Sequence, residues 1–422
     1  MESLNHHEVV LFLVQLSLML LSGRIVGEIM RYFNQPMVIG EILAGIILGP
    51  TLLGNYFPDF FATLFPKTGH SPVALNGFTQ VSVVLLLFIG GLEVELPTVI
   101  NQGKKAFVTS FFGIAMSFSI GFFVTYQNAS FFHIAPEKHL VFSLFIGTAL
   151  SITALPVIVR TMLDLGIFKS QIGMLIVATA MIDDFLGWMI FSIILTMMEE
   201  GAEQSILYTV SFTIIFALLM LTVFRRLMDK VLPWFTEHLA FPGGILSIML
   251  VLSFLGAAFT EYIGIHAVFG SFLVGVALGD SVHMTEKIKE IVHHFVTNIF
   301  APLFFVSIGL KVNFATNFDL VLVSVIMAMA FAGKTIGCSL AAFLSGFTKR
   351  QSLAIGFGMN ARGAMEIILA TLALQNGLIN ETMFVALVVM AIVTSVTAGS
   401  MMKFFLRLNP KKIQGIPHES HT

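Results

Sequence analysis

Thirteen apolar stretches follow one another along this chain, near residues 8–31, 36–54, 74–95, 105–126, 139–163, 170–197, 205–228, 243–261, 265–280, 292–311, 319–345, 351–375 and 382–407, each ended by a polar or Pro/Gly cluster. Crossing a bilayer as a helix takes about 20 apolar residues, and lipid leaves the backbone few other ways to satisfy its polar groups. With 57% hydrophobic and only 11% charged residues, the composition lies outside the soluble range. The sequence therefore reads as an all-α polytopic membrane protein of about 13 transmembrane helices. The first stretch, beginning near Glu8, is too long for a secretory leader and has no small-residue cleavage site after it. The single cysteine, Cys338, excludes an intramolecular disulfide and reads as a small hydrophobe in a helix. Loops are short and about fourteen residues follow the last stretch, so no appended nucleotide-binding regulator is expected.

An odd number of crossings puts the two ends on opposite sides. Alternating sides along the chain places 17 basic residues on one side and only Lys67, Lys138 and Lys311 on the other, with Lys334 and Arg362 inside stretches. The positive-inside rule then makes the richer side cytoplasmic, with the N-terminus outside and the C-terminus inside. An internal repeat agrees with this topology. Gly40, Gly45 and Gly49 of IGEILAGIILG recur at the same spacing as Gly270, Gly275 and Gly279 of FGSFLVGVALG, and GLEV at 91–94 is echoed by GLKV at 309–312. Stretches 1–6 thus match 8–13 across an odd number of crossings, which makes two inverted six-helix repeats, an arrangement typical of secondary transporters.

Polar residues at membrane depth concentrate in four places. Asp183 and Asp184 lie side by side between IGMLIVATAMI and FLGWMIFSIIL, where a charge costs about 2.5–3.5 kcal/mol each on insertion scales. Lys334 lies about fifteen residues into the eleventh stretch. In SITALP (151–156), Pro156 cannot bond the carbonyl of Ile152, and Ser151 and Thr153 offer hydroxyls, so this helix should break at mid-membrane. In the matching MNARGAME (359–366), Asn360, Arg362, Gly363 and Glu366 predict a second break. Two crossed broken helices bring half-helix ends of opposite partial charge together, and Arg362 and Glu366, four residues apart, can compensate them. Asp183, Asp184 and Glu366 against Lys334 and Arg362 sum to −1 when all are ionised, which one monovalent cation would balance. Burial favours the neutral forms, so protons are accommodated as readily as charges. A group that holds either a proton or a cation is what an exchanger needs, and oxygen ligands without Cys or His suit an alkali ion.

These motifs, from PMVIGEILAGIILGP through FIGGLEVEL and SITALPVIVRTMLDLG to NARGAMEIILA, resemble those of the monovalent cation:proton antiporter-2 family over about 400 residues. By that resemblance Asp184 matches the cation- and proton-binding aspartate, Asp183 its partner that pairs with the lysine, Lys334 that lysine, and Thr153 the hydroxyl near the ion. Asp184 and Asp183 would then hold Na+ or K+. The family implies a homodimer and an elevator movement of one bundle against a scaffold, here 1–96 and 242–316 as scaffold, 97–198 and 317–408 as the ion-translocating core, 199–241 as a linker helix and 409–422 as a cytoplasmic tail. The chain departs from the Pro-Arg-Gly-Glu pattern of many sodium antiporters, since Ala364 follows Arg362-Gly363 and the glutamate is displaced to Glu366. It also lacks the Gln-Asp pair of the glutathione-gated potassium-efflux members. Sodium or lithium is favoured over potassium on the hardness of two anionic oxygens, with a K+/H+ antiporter as the alternative.

Other classes fit less well. An intramembrane aspartyl protease needs aspartates converging from different helices, whereas neighbours on one helix diverge by about 100°. A channel would want rings of like ligands in a symmetric assembly. A bile-acid-type symporter gives no reason for the lysine, and a purely structural Asp183–Lys334 salt bridge remains the plain alternative for that pair. GKT at 333–335 lacks the glycine of a phosphate loop, its place being taken by Ala328. No cofactor and no nucleic-acid partner is expected. The expected partners are a monovalent cation, protons and the lipid of a cell membrane, of the bacterial inner-membrane type.

Overall fold

The structure, a computed structural model, describes residues 4–407 except 34, 67, 95, 133, 135, 169, 198–205, 240–241, 264–265, 280 and 282–283. Side chains at 96–101, 156, 160, 163–164, 195–196, 206–210, 236–237 and 364 are also outside the description. The expected tail 409–422, the start of the linker stretch, and Lys67, Lys169, Lys411 and Lys412 therefore lie outside the described residues.

The described chain is helical, with no strand. α1 (His6–Tyr32) starts in a capping box, in which Asn5 accepts from the Glu8 amide and Glu8 accepts from the Asn5 amide at 3.0 Å. α2 (Met37–Leu48) follows, then two short helical pieces, then α3 (His70–Leu92). α4 (Leu96–Gln127) bends at Gly103, whose φ of 50° lies in the left-handed region that glycine takes most cheaply. The fifth stretch is split into α5 (His139–Ala149) and α6 (Leu155–Asp164), and α7 (Gln171–Thr196) carries the aspartates. α8 (Ile206–Leu219) passes through a π turn into α9 (Arg225–His238), followed by α10 (Gly243–Tyr262) and α11 (Ala267–Gly279). α12 (Glu286–Phe295) continues through a second π turn, Val296–Phe300, into α13 (Ala301–Lys311). That wide turn sits just ahead of Pro302, which has no N–H to donate to the preceding turn. α14 (Leu320–Leu344) is capped by Asp319, which accepts from the amides of Val321 and Leu322 at 2.8 and 3.0 Å. The twelfth stretch is again split, into α15 (Lys349–Gly358) and α16 (Ala364–Gln375), before α17 (Glu381–Leu406).

Each of the thirteen apolar stretches contains helix, but among the described residues ten helices are long and apolar enough to cross a membrane unaided. The other three stretches are the short α11 and the two interrupted ones, so uninterrupted length counts ten spans rather than thirteen.

Two compact units divide the chain. The first takes Met1–Glu95, Leu195–Phe318 and Asn380–Val385, and the second takes Leu96–Ile194, Asp319–Ile379 and Ala386–Thr422. The opening residues of α17 thus group with the first unit, apart from the rest of that helix. Within the first unit the same close packing occurs twice. α2 meets α13 at Gly45 and Gly309, where a Cβ on Gly309 would lie 2.6 Å from the Gly45 Cα. α11 meets α3 at Gly275 and Gly91, where a Cβ on Gly91 would lie 3.0 Å from the Gly275 Cα. These four glycines are the ones paired by the sequence repeat. Outward-facing residues are apolar, as a lipid surface requires: Leu13, Leu21 and Ile25 on α1, and Val251, Leu255 and Phe259 on α10, are exposed.

Candidate functional site at two helix breaks

The second unit is built around its two interruptions. α5 stops at Ala149, and its last turn tightens as the amides of Leu150 and Ser151 donate to Ile146 and Thr148 carbonyls, both at 2.9 Å. The chain then runs without helix to Leu155, where α6 starts with Pro156 in its first turn, the position in which a missing N–H costs nothing. α15 stops at Gly358 and α16 starts at Ala364. The two gaps bond to each other: the Ala154 amide donates to the Ala361 carbonyl at 2.8 Å, and the Thr153 hydroxyl lies 2.8 Å from the Met359 carbonyl.

Ending α5 in the interior leaves carbonyls that need donors, and the negative end of the helix dipole falls there as well. Two buried cations meet both demands. Arg362 donates from Nη1 to the Ala149 carbonyl at 2.8 Å and from Nη2 to the Leu150 carbonyl at 2.7 Å. Lys334 donates to the Ser151 carbonyl. Each cation also has a carboxylate. Arg362 Nη1 is 3.1 Å from Glu366 Oε1, and Lys334 Nζ is 2.5 Å from Asp183 Oδ2. Lys334 and Asp183 are wholly buried, and Arg362 and Glu366 nearly so.

Asp183 is held on both oxygens. Ser110 donates to Oδ1 at 2.6 Å, while Oδ2 receives Lys334 and lies 3.1 Å from the Thr153 hydroxyl. Asp184, on the next position of α7 and turned by about 100°, is buried at 2% exposure. Asn360 donates from Nδ2 to Thr335 Oγ1 at 2.6 Å and to the Gly356 carbonyl at 3.3 Å, tying the second break to α14 beside Lys334. Ser395 of α17 accepts from the Arg362 amide at 3.2 Å and donates to the Arg362 carbonyl.

Asp183, Thr153, Ser151, Lys334, Asn360, Arg362 and Glu366 are thus linked through the two breaks, with Asp184 adjacent on α7. The Pro156 side chain lies outside the described residues. Sequence reasoning missed Ser110 and Ser395. Both are hydroxyls in otherwise apolar helices, and nothing in FVTSFFG or IVTSVTAGS says that they aim at a carboxylate or a freed backbone group. Chemically the cluster offers hard oxygen ligands and two buried ion pairs.

A family model described as "Sodium/hydrogen exchanger, transmembrane" matches residues 16–408. Similar curated proteins include the Na(+)/H(+) antiporter NhaS4 of Synechocystis sp., 30% identical over 383 residues that cover 89% of this chain and 92% of that protein. The Na(+)/H(+)-K(+) antiporter GerN of Bacillus cereus is 26% identical, covering 93% and 96%. The K(+)/H(+) antiporter 1 of Saccharomyces cerevisiae is 30% identical over 91% of this chain but only 45% of its own length. The chain likewise spans about half the length of several Arabidopsis thaliana cation/H(+) antiporters that it matches. Among solved structures, the sodium proton antiporter MjNhaP1 of Methanocaldococcus jannaschii at pH 8 shares the fold, with a TM-score of 0.68 at 16% identity over 95% of this chain and 99% of that one.

Proposed function

This chain belongs to the sodium/hydrogen exchanger family and is a multi-pass monovalent cation/proton antiporter, and we propose that it exchanges sodium, or lithium in its place, for protons at Asp184. The observation that carries this reading is the Lys334 ammonium, buried between the Ser151 carbonyl and Asp183, one residue from a second buried carboxyl. An ammonium in hydrocarbon must pair or lose its proton.

In the cation-free form Lys334 is charged and paired with Asp183. An arriving sodium ion takes oxygens from Asp184, Asp183 and Thr153 and so competes with Lys334 for Asp183. The released lysine gives its proton to water, and Asp184 gives up another. Two protons leave for one cation, and the cycle moves net charge, worth about 2.3 kcal/mol per elementary charge per 100 mV. Arg362 and Glu366 stay paired and hold the end of α5 in place. Ser151, Pro156 and Asn360 shape the breaks.

Alternating access is an elevator movement in which the second unit, holding both breaks, carries the ion, while the first serves as scaffold in a homodimer. Inverted repeats of six helices underlie this division, supported by the paired glycine contacts in the first unit. The membrane is the cell membrane, with the N-terminus outside and the C-terminus in the cytoplasm. No cofactor takes part, and the chain acts as a transporter rather than as an enzyme.

Potassium is the second reading, because the relatives' names include K(+)/H(+) exchange and combined Na(+)/H(+)-K(+) exchange. Proton flux in proteoliposomes, titrated separately with sodium, lithium and potassium, separates the two. Sodium and lithium are expected to drive flux at lower concentrations than potassium, and a response to potassium alone would refute the sodium assignment.

A further inference from the structure

The first unit holds a carboxyl that the exchange cycle does not use. Glu41 lies one turn into α2, in the apolar IGEILAG run, and is 4% exposed. α1 turns towards the interior a stripe of one residue per turn, Gln15, Met19, Gly23 and Gly27, of which the last two have no side chain. The missing side chain of Gly23 leaves a notch. A Cβ there would lie 3.8 Å from Glu41 Cγ, 3.3 Å from Pro302 Cβ and 3.1 Å from Val306 Cγ2. The stem of Glu41 therefore passes through the notch against two apolar side chains of α13.

Within the described residues, Oε2 of Glu41 meets no hydrogen-bond partner, and the residue forms no ion pair. The titratable groups on the packed elements can be named. On α1 they are Arg24 and, a turn further, Glu28. The Arg24 guanidinium is engaged by Glu28 at 2.8 Å and by Asn298 at 3.2 Å, and Glu28 also holds Arg31 at 2.6 Å. The segment Val296–Leu310, which includes most of α13, has no titratable side chain. An ionised carboxyl in this position would be a buried charge whose neighbouring cation, Arg24, is engaged elsewhere, whereas the neutral acid loses far less on leaving water.

We propose that Glu41 is a second proton-binding site, separate from the aspartate pair, which holds its proton in this conformation and is not emptied by the transported cation. Ionisation of Glu41 draws the Arg24 guanidinium from Asn298 towards α2. Glu41 and Arg24 thus form a proton-dependent contact between α1 and α2, built into the first unit.

The full chain in proteoliposomes tests this with a hydrophobic carbodiimide, N,N′-dicyclohexylcarbodiimide, and peptide mass spectrometry. A protonated carboxyl gives its proton to a carbodiimide nitrogen, its oxygen adds to the central carbon, and an acyl shift to nitrogen leaves a stable N-acylurea. The adduct is expected on Glu41, unchanged by saturating sodium or lithium. In parallel, pH-difference infrared spectra should show a carboxylic acid carbonyl band that is lost in Glu41→Gln and persists to higher pH in Arg24→Gln, because removing the positive charge makes ionisation harder. Glu41→Gln, which keeps the shape and neutrality of the acid, should retain cation/proton exchange. Spectra of wild type and Glu41→Gln that superimpose in the carboxylic acid region overturn the proposal whatever the labelling shows, and so does an adduct on Glu41 that sodium prevents, since the carboxyl would then belong to the transport site. Loss of exchange in a cation titration with the band intact would instead count against the reading of Asp184.

Discussion

Replacing Arg362 by Gln should nearly unfold this protein, and replacing Glu366 at the same time should rescue a large part of the loss. The Arg362 guanidinium is the donor for the Ala149 and Leu150 carbonyls and the counter-charge of Glu366. Two interior carbonyls left without donors cost about 1–3 kcal/mol each. A carboxylate that is 2% exposed and stripped of its partner adds about 3–5 kcal/mol. The single variant thus loses about 5–11 kcal/mol, as much as the whole stability of many domains, which is about 5–15 kcal/mol. With Glu366→Gln added, no orphan charge remains, and about 3–5 kcal/mol should return. Glu366→Gln alone should cost least, because Arg362 still caps the negative end of α5. Thermal unfolding of the purified protein in detergent, alongside the fraction recovered as a monodisperse peak, ranks the three variants. If Arg362→Gln melts with the double variant, Glu366 carries no charge beside Arg362, and the two-cation description of the helix end fails.

Two further outcomes follow from the same geometry. Lys334→Gln combined with Asp183→Asn removes the proposed coupling pair without leaving an orphan charge, so exchange should persist but become electroneutral; a reversal-potential measurement still giving two protons per cation would leave the lysine a structural role only. On the proposal that proton and cation share Asp184, sodium affinity measured calorimetrically should fall at least about tenfold for each unit that the pH drops below the titration of the site, and an affinity indifferent to pH there would separate the proton site from the cation site.

Much of this architecture can be read from residue order, because hydrocarbon leaves a chain few choices. The two breaks are the clearest case. Pro156 forbids continuation from Ile152, and the structure opens α5 from α6 over residues 150–154. The polar run MNARGAME opens α15 from α16 in the same way. Hydropathy is less able to find where helices end in water. EKIKEIVHHF (286–295) and RRLMDKVLPWFTEH (225–238) are polar along one side, so each overlaps an apolar stretch by only four residues, yet both are helical lead-ins and run-outs. The candidate site was legible in its charged members, because a charge in an apolar run demands a reason. Its hydroxyls were not, since Ser110 and Ser395 look like any small residue until another helix brings Asp183 or the Arg362 backbone to them. The charge compensation expected from Arg362 and Glu366 is present, but Arg362 serves chiefly the end of the other broken helix, a pairing that no local spacing encodes.

The role of Asp184 is tested most directly by counterflow of sodium against protons in proteoliposomes containing Asp184→Asn. The amide keeps the shape of the side chain and removes both its charge and its titratable proton, while the Asp183–Lys334 pair and the Arg362 cap are left in place. Exchange should vanish, while thermal unfolding shows the variant folded and no longer stabilised by added sodium. Sodium-driven proton flux at the wild-type rate in that variant would contradict the assignment of Asp184 as the site shared by cation and proton.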